Sequence, residues 1–383
     1  MRIFVSAGEP SGDLHGSNLV RALQRLAPEV ECVGFGGDLM ERAGCRLLYP
    51  LCQHSVMGFT RVLANLPRFL AVLSLADRYF RHHRPDALVL IDYPGLHWWL
   101  ARRARFHGIP VFYFVPPQIW AWADWRVEKM RRHVDHVLCT LPFEKRWYEE
   151  RGVPATYIGH PFFDAVRARP LDAEFMAQQY RRGGRIIGLL PGSRNQEVAA
   201  NFGTLKRTAE LLAEQFADLR FLVACYKPEH RARVLGELSG TRISIEAHVG
   251  KTPEIIRLAE ACIAVSGSVS LEMMHHATPA VITYRVGRFT YELGKRLLKV
   301  NSITLVNLLA GKTLYPEYVS TSCNAEVLAK HVRTWLTDPL ERQRLVGELR
   351  RLNAQVGQPG ACERAARYVL DALARPAHAK LAA

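Results

Sequence analysis

The stretch that decides the fold is Leu88–Trp99, which reads LVLIDYPGLHWW. A continuous apolar run ends in the acid Asp92, and a Pro-Gly pair then leads into a histidine and two tryptophans. Such a run is typical of a strand buried on both faces of a parallel sheet, and the Pro-Gly pair predicts a turn. Ligands of α/β proteins bind at the carboxyl ends of such strands. Asp92 is therefore a candidate catalytic carboxylate.

The same alternation of strand and helix runs along the 383 residues. Short apolar runs predict eight strands, at 2–7, 88–92, 111–115, 136–141, 185–191, 220–225, 262–266 and 280–284. Segments of helical period separate most of them, among them 16–26, 127–134, 202–216 and 254–261. This pattern predicts an α/β protein with doubly wound parallel sheets covered by helices on both faces.

The prolines, charge run and Gly-Gly pair between His160 and Arg185 predict a domain boundary at about 165–183. We expect two Rossmann-like domains, at 1–165 and 166–340, whose strand ends face a common cleft. The last strand signal ends near Leu305. Residues 341–383 are expected to form a helical tail that packs back on the first domain.

The composition restricts the partners and the compartment. Lys and Arg number 51 against 36 Asp and Glu, a net charge of +15 that suits an anionic partner. No nucleic-acid motif accompanies the scattered basic clusters, so we expect an anionic membrane surface and an anionic substrate, and no nucleic acid. Eight scattered cysteines without a Cys-x-x-Cys pair argue against disulfides and a thiolate metal site and suit the cytoplasm. We find no secretory signal and no apolar run of membrane length.

The turn after the first predicted strand reads SAGEPSGDLHGSN and opens a helix. Its glycines, at 8, 12 and 16, do not match the G-x-G-x-x-G spacing of dinucleotide sites. Glu9 is a candidate functional carboxylate because an acid beside proline in a glycine turn has little packing role. The alternative is a plain strand-to-helix turn capped by Ser11 or Asp13.

Two further turns, in the second half, favour a nucleotide diphosphate. LLPGSRNQEV (189–198) ends a strand in Gly192, Ser193 and Arg194, and arginine binds a diphosphate bidentately. In VSGSVSLE (265–272), the small residues Ser266, Gly267 and Ser268 can cradle a phosphate, and Glu272 can accept both ribose hydroxyls. The alternatives are a surface arginine and an acid that interacts with the helix dipole.

Taken together, the motifs resemble the lipid-A-disaccharide synthase family. The resemblance covers about residues 2–320 and rests on motifs in the family's order: SAGEPSGDLHGSN, GGDLMERAG (36–44), VMGF…LPRFL (56–70), PDALVLID (85–92), WAW…LPFEKRWY (120–148), IGHP (158–161), LLPGSR, SGSVSLE and TYELGKRLLKVNSITLVNLLAGKTLYPE (290–317).

The resemblance implies a GT-B glycosyltransferase. Such enzymes join a UDP-activated diacylglucosamine to a diacylglucosamine 1-phosphate, with inversion and without metal or cofactor, and give a β-1,6 disaccharide and UDP. By resemblance, Arg194 and the turn at 266–268 would hold the diphosphate and Glu272 the ribose. Asn307 would line the UDP side, and Glu9 would lie in the acceptor cleft.

The stretch quoted first departs from the family pattern. The usual sequence is Ile-Asp-x-Pro-Asp-Phe-Asn, so Gly95 stands where the family has its favoured general base, and His97 replaces the asparagine. The candidate bases are therefore Asp92, His97 and, in the opposite turn, His15. Other departures are residues that replace a glutamate, a proline and a glutamine: Arg61, Val306 and Ser320.

The apolar segment 57–80 is followed by RHHR (81–84) and is interpreted as an interfacial segment that faces acyl chains; an ordinary core helix is the alternative. Five tryptophans are expected to form either core or a lipid-facing wall: Trp98, Trp99, Trp120, Trp122 and Trp125. We expect a peripheral protein on the cytoplasmic face of the inner membrane, and a homodimer is left open.

Two other functions remain open at this point. One is another GT-B enzyme that uses UDP-GlcNAc, a transferase or a 2-epimerase. The other, motivated by Gly95, is a sugar-nucleotide-binding protein with weakened catalysis. A requirement for an acylated acceptor would separate the first from the lipid enzyme, and UDP binding without UDP release would identify the second.

Overall fold

The computed structural model describes residues 1–54, 66–265, 267–297, 300 and 302–374. They form two compact units: Met1–Ala168 together with the chain from Gln358 onward, and Arg169–Gly357. Each unit is built on one parallel sheet with helices between its strands. The prediction of two doubly wound, Rossmann-like domains is confirmed.

The first unit has a seven-stranded sheet in the order β3-β2-β1-β4-β5-β6-β7. Its strands are β1 (Arg2–Ala7), β2 (Glu31–Phe35), β3 (Arg46–Tyr49), β4 (Ala87–Ile91), β5 (Val111–Phe114), β6 (His136–Cys139) and β7 (Ala155–Tyr157). Its helices are α1 (Pro10–Leu26), α2 (Asp38–Arg42), α3 (Leu66–His83), α4 (Pro94–Phe106), α5 (Ile119–Trp122), α6 (Val127–His133), α7 (Pro142–Glu149) and α8 (Phe162–Ala168). Proline is the first residue of α1 and of α4, where its fixed φ suits a helix start.

The second unit has a six-stranded sheet in the order β10-β9-β8-β11-β12-β13. Its strands are β8 (Arg185–Leu190), β9 (Leu219–Cys225), β10 (Ile245–Val249), β11 (Ala261–Val265), β12 (Ala280–Arg285) and β13 (Glu317–Ser320). Its helices are α9 (Ala173–Arg181), α10 (Asn195–Ala213), α11 (Pro228–Glu237), α12 (Thr252–Leu258), α13 (Val269–His275), α14 (Arg288–Leu297), α15 (Leu305–Ala310), α16 (Ala325–Thr337) and α17 (Pro339–Val356).

All eight predicted strands are present, and their ends agree with the prediction within two residues. The expectation that strands end near Leu305 is wrong, because β13 lies beyond it and pairs with β12. The expected boundary segment at 165–183 is mostly helical, in α8 and α9, and the units separate after Ala168.

The return of the chain to the first unit begins later than residue 341. Helix α17 packs on α13 and α16 of the second unit, whereas α18 (Ala361–Ala374) packs on α1. Asp164 of α8 fixes this return: its carboxylate accepts hydrogen bonds from the backbone N–H groups of Gly360 (2.5 Å), Ala361 (3.2 Å) and Cys362 (2.8 Å). The apolar side of α18 completes a buried core with α1 and β1.

Within the segment 57–80, residues 57–65 and with them Arg61 lie outside the described residues. The remainder forms α3, which buries Val72, Ala76 and Phe80 in the core and exposes Leu66 and Leu70. The tryptophans divide in the same way: Trp98 and Trp120 are buried, and Trp99, Trp122 and Trp125 are exposed. No helix among the described residues is long and apolar enough to cross a membrane.

Candidate active site

The first unit has its topological switch point between β1 and β4. The two strands are neighbours, with Ala7 opposite Ile91. The sheet then continues in opposite directions, with β2 beside β1 and β5 beside β4. The turns after β1 and β4 therefore lie side by side at the sheet's carboxyl edge, where ligands of this fold class bind. These turns carry Glu9 and Asp92.

The turn at Asp92 has an uncommon backbone. Asp92 and Tyr93 both have a φ of 49°, in the left-handed region that residues other than glycine seldom adopt. The Asp92 carbonyl accepts hydrogen bonds from the Tyr113 hydroxyl (2.7 Å) and from His97 Nδ1 (2.6 Å). The Asp92 side chain is half-buried at the end of β4.

His97 is completely buried, and both of its ring nitrogens are hydrogen-bonded. Because a carbonyl oxygen can only accept, Nδ1 carries the proton that it donates to Asp92, and Nε2 accepts from the Ser6 hydroxyl at 3.0 Å. Burial lowers the pKa of His97 to about 3, although the Asp92 carbonyl opposes the shift. The sequence expectation of a histidine base is wrong, since this ring has no nitrogen left for a substrate proton.

Glu9 is half-buried at the start of α1, and its neighbour Gly8 lies beneath the ring of Tyr93. Burial raises the pKa of the Tyr93 hydroxyl, and the nearby Glu9 carboxylate adds to the rise. The two turns therefore bring the carboxylates of the two motifs to the same part of the sheet edge. The caps expected for α1 are not used as predicted, because Asp13 binds the backbone N–H groups of α2 instead.

His15 does not join this edge as a base. Its ring lies 6.1 Å from that of His160, edge to face, and its backbone carbonyl contacts the Cys362 thiol of α18. Burial lowers the pKa of His15 to about 4, against the opposing effect of Asp164. The ring is buried beside His160 and is not open to a substrate hydroxyl, so the expectation of a third candidate base is corrected.

Position 95 is open. Gly95 is exposed in the first turn of α4, and a Cβ built on it would meet nothing within 4 Å. The local structure therefore does not require glycine where the family has its usual acid. Glycine at this position removes a carboxylate from the family pattern and is not needed to avoid a clash.

The switch point of the second unit lies between β8 and β11, with Leu190 opposite Ala264. The turn after β8 contains Gly192, Ser193 and Arg194, and two of its backbone amides are bound within the fold. The Glu197 carboxylate of α10 accepts hydrogen bonds from the backbone N–H groups of Ser193 (3.0 Å) and Arg194 (3.2 Å). Gly192 is required here, since its φ is 112° and a Cβ would stand 2.7 Å from Glu197 Oε2.

These two amides are thus bound within the fold and are not open to a diphosphate. The group that remains available is the Arg194 guanidinium, which pairs with Glu197 at 2.9 Å and whose side chain is 55% exposed. Glu197 is a residue that sequence reasoning missed. An acid in the first turn of a helix was the signal that could have found it.

The turn after β11 contains Gly267 and Ser268, while Ser266 lies outside the described residues. Nothing lies within 4 Å of a Cβ built on Gly267, so the turn leaves room for a ligand. Glu272 follows in α13. Burial raises the pKa of its carboxyl to about 7; Arg169 opposes this rise and Glu254 adds to it.

Asn307 is hydrogen-bonded within the fold through its whole side-chain amide. It is buried, its Nδ2 donates to the Tyr315 carbonyl and to Glu317 Oε1 (both 2.7 Å), and its Oδ1 accepts from the N–H groups of Leu314 and Tyr315. Every polar atom of the amide is thus bound within the fold. Its predicted role on the UDP side is corrected to that of holding the loop between α15 and β13. Among the described residues, no group of three His, Cys, Asp or Glu side chains is placed to hold a metal ion.

Solved structures share this fold. The S. aureus MnaA–UDP co-structure superposes with a TM-score of 0.67 at 12% identity and covers 97% of this chain and 96% of its own. The UDP-GlcNAc 2-epimerase from Neisseria meningitidis bound to UDP-GlcNAc gives 0.64 at 10% identity, over 97% and 99% of the two chains. Two Rossmann-like units, each with a parallel sheet and a switch point, define the GT-B class of fold.

Sequence relatives give the family. The family model described as lipid-A-disaccharide synthetase matches residues 3–371. The lipid-A-disaccharide synthase of Geobacter sulfurreducens is 34% identical over 98% of both chains, and that of Anaeromyxobacter dehalogenans strain 2CP-1 is 35% identical over 97% of both. The chain belongs to the lipid-A-disaccharide synthetase family and is a glycosyltransferase.

Proposed function

We propose that the chain joins UDP-2,3-diacylglucosamine to 2,3-diacylglucosamine 1-phosphate and forms the β-1,6 lipid A disaccharide and UDP. The observation that carries this proposal is the family match over residues 3–371, together with the placement of the motif turns at both switch points. The anomeric carbon exchanges its bond to the diphosphate oxygen for a bond to the acceptor hydroxyl oxygen, with inversion.

The first unit provides the acceptor side in this proposal. Asp92, at the end of β4, takes the proton of the acceptor hydroxyl as the new bond forms, which is the role of a general base. Glu9, on the neighbouring turn, orients the acceptor sugar by accepting hydrogen bonds from its hydroxyls. Asp92 is favoured over the two histidines because both rings are buried, whereas the Asp92 side chain is half-buried at the end of β4.

The second unit binds the UDP-sugar. The exposed Arg194 guanidinium pairs with the diphosphate and stabilises the negative charge on departing UDP, with the open turn at Gly267 and Ser268 against the phosphate. Glu272 accepts hydrogen bonds from the ribose hydroxyls. Arg194 supplies the positive charge and the turn supplies hydrogen-bond donors, so the proposed site works without a metal ion.

A negatively charged membrane surface is the proposed location of catalysis, on the cytoplasmic side of the inner membrane. Helices α3 and α4 pack on each other and expose large apolar side chains, of which Phe106 is 78% and Trp99 is 48% exposed. The exposed Arg102 and Arg103 lie on the same helix as these two. Apolar side chains beside cations favour the interface of an anionic bilayer.

The decisive experiment supplies the purified protein with both acylated substrates and measures UDP release and the disaccharide by mass spectrometry. Disaccharide in the presence of EDTA supports metal-independent transfer. UDP-GlcNAc converted without an acylated acceptor would instead support a 2-epimerase or another transferase.

A second candidate is a sugar-nucleotide-binding protein with weakened catalysis, which the glycine at position 95 and the fully bonded His97 favour. In the same assay it would bind UDP but release none from the acylated donor.

Vesicle flotation tests the membrane site: Phe106→Ser should weaken binding to anionic vesicles, and Leu340→Ser, equally exposed at 78% in the second unit, should not.

A further inference from the structure

Three side chains from different elements converge on the turn that carries Asp92. Ser6 comes from β1, His97 from α4 and Tyr113 from β5, and all three are completely buried. His97 links Ser6 to the Asp92 carbonyl through its two nitrogens, at 3.0 and 2.6 Å, and the Tyr113 hydroxyl binds the same carbonyl at 2.7 Å. The rings of His97 and Tyr113 also pack edge to face at 6.2 Å.

The Asp92 carbonyl is important because the residues on both sides of its peptide bond have an uncommon backbone conformation. With Asp92 and Tyr93 both left-handed, this peptide is turned away from the direction that an ordinary strand end would give it. Left-handed residues other than glycine persist where the surrounding structure over-determines them. Two buried donors on one oxygen supply that constraint.

We propose that His97 is a positioning residue: with Tyr113 it holds the Asp92 carbonyl, so that the left-handed turn presents the Asp92 carboxylate at the end of β4. The Asp92 carbonyl sets the tautomer, since it can only accept and so keeps the proton on Nδ1, and the Ser6 hydroxyl then donates to Nε2. The inference rests on the proposed function in so far as Asp92 is the base. The tautomer and the hydrogen bonds are independent of that function.

This arrangement gives the departure at position 97 a chemical meaning. The Nδ2 of an asparagine stands the same number of bonds from the Cα as the Nδ1 of histidine, so both residues can donate to the Asp92 carbonyl. Asparagine cannot also reach Ser6 as the Nε2 of the imidazole does. The family's usual residue and the histidine of this chain would thus serve the same carbonyl.

The kinetic test compares His97→Asn with His97→Leu in the disaccharide assay. We expect His97→Asn to keep kcat within about threefold and His97→Leu to lose on the order of 100-fold in kcat, with an unchanged KM for the UDP-sugar. The acidic limb of the pH–rate profile should stay in place in His97→Asn. Equal losses in both variants, a kcat of His97→Leu near that of the wild type, or loss of the acidic limb would each overturn the proposal.

A second pair removes one donor at a time. Tyr113→Phe should lower kcat by about tenfold, because one of two donors to the carbonyl is lost. Tyr148→Phe is the matched control, since Tyr148 is equally buried and its hydroxyl has no hydrogen-bond partner among the described residues. A kcat of Tyr113→Phe equal to that of Tyr148→Phe would contradict the proposal.

A measurement that does not depend on enzyme activity separates this inference from the proposed function. Nitrogen-15 NMR of the imidazole, assigned by the signal that His97→Asn removes, should show the neutral Nδ1–H tautomer unchanged between about pH 5 and 8. In Ser6→Ala the Nε2 signal should shift. A ring that titrates in this range, or the Nε2–H tautomer, would overturn the positioning role even if the protein made no disaccharide.

Discussion

The ring of Tyr93 lies directly over the backbone of Gly8: a Cβ at position 8 would stand 2.2 Å from Cδ1 of that ring. Glu9 follows the glycine, and Asp92 precedes the tyrosine. The contact therefore couples the two turns that carry the candidate carboxylates. The packing of Tyr93 on Gly8 thus helps to set the spacing of the two turns.

Asp92→Asn should lower the turnover of the acylated substrates by on the order of 100-fold or more, because the amide cannot take the proton of the acceptor. UDP affinity, measured by calorimetry, should not change. Asp86→Asn is the matched control: Asp86 is an exposed acid at the opposite end of β4, bonded to the Arg2 amide. Turnover of Asp92→Asn within a few-fold of this control would reject Asp92 as the base.

Gly95→Asp should be tolerated and should raise turnover several-fold. The site is open, an acid in the first turn of a helix interacts well with its dipole, and the change restores the family's usual carboxylate. Gly95→Ala is the control, since it brings the gain in helix propensity of about 1 kcal/mol without the charge. Thermal unfolding and the disaccharide assay give the two readouts. Equal turnover in both variants would mean that the second carboxylate has no role in this chain.

The affinity for UDP should rise as the pH is raised through about 7, the pKa to which burial raises the Glu272 carboxyl. Below that pH the group is protonated and loses its strength as an acceptor for ribose hydroxyls. Glu272→Gln should flatten the profile and weaken binding by about tenfold at high pH, as expected for hydrogen bonds to a charged group. Titration calorimetry across the range measures this. Glu260→Gln, at the opposite end of β11, should leave the profile as in the wild type.

Asp164→Ala should lower the free energy of unfolding by about 1–2 kcal/mol, because three backbone N–H groups at the start of α18 lose their acceptor. Urea unfolding and proteolysis near residue 360 report the effect. Asp338→Ala is the comparison: it removes an exposed cap on two N–H groups of α17 in the other unit. An equal effect of the two substitutions would show that the bridge from α8 adds nothing to ordinary capping.

The strands that could be predicted from the sequence are the interior strands of the two sheets, with the exception of β2. The four edge strands, β3, β7, β10 and β13, were all missed, together with β2. An edge strand has one neighbour and is partly exposed, so Arg46–Tyr49 and Glu317–Ser320 lack a continuous apolar run. The sequence ECVGF of β2 contains a charge and a glycine and gave no such run either.

The candidate site was predictable as a set of turns but not atom by atom. A sequence shows that Asp92, His97 and Asn307 are polar residues near strand ends, but not which of their atoms the fold itself has bound. His97 and Asn307 are fully bonded inside the protein. The partner of Asp164 lies 196 residues further along the chain, a distance at which no local pattern exists.

The packing of α18 on α1 has a consequence for synthesis on the ribosome. Leu19 and Leu23 of α1 are completely buried in a core that also contains Ala365 and Val369 of α18. The whole of the second unit lies between these helices in the chain. Although translation usually lets the first domain fold first, here the second domain emerges whole while the first still has an apolar side uncovered. The domain that is synthesised first is therefore the last to complete its folding.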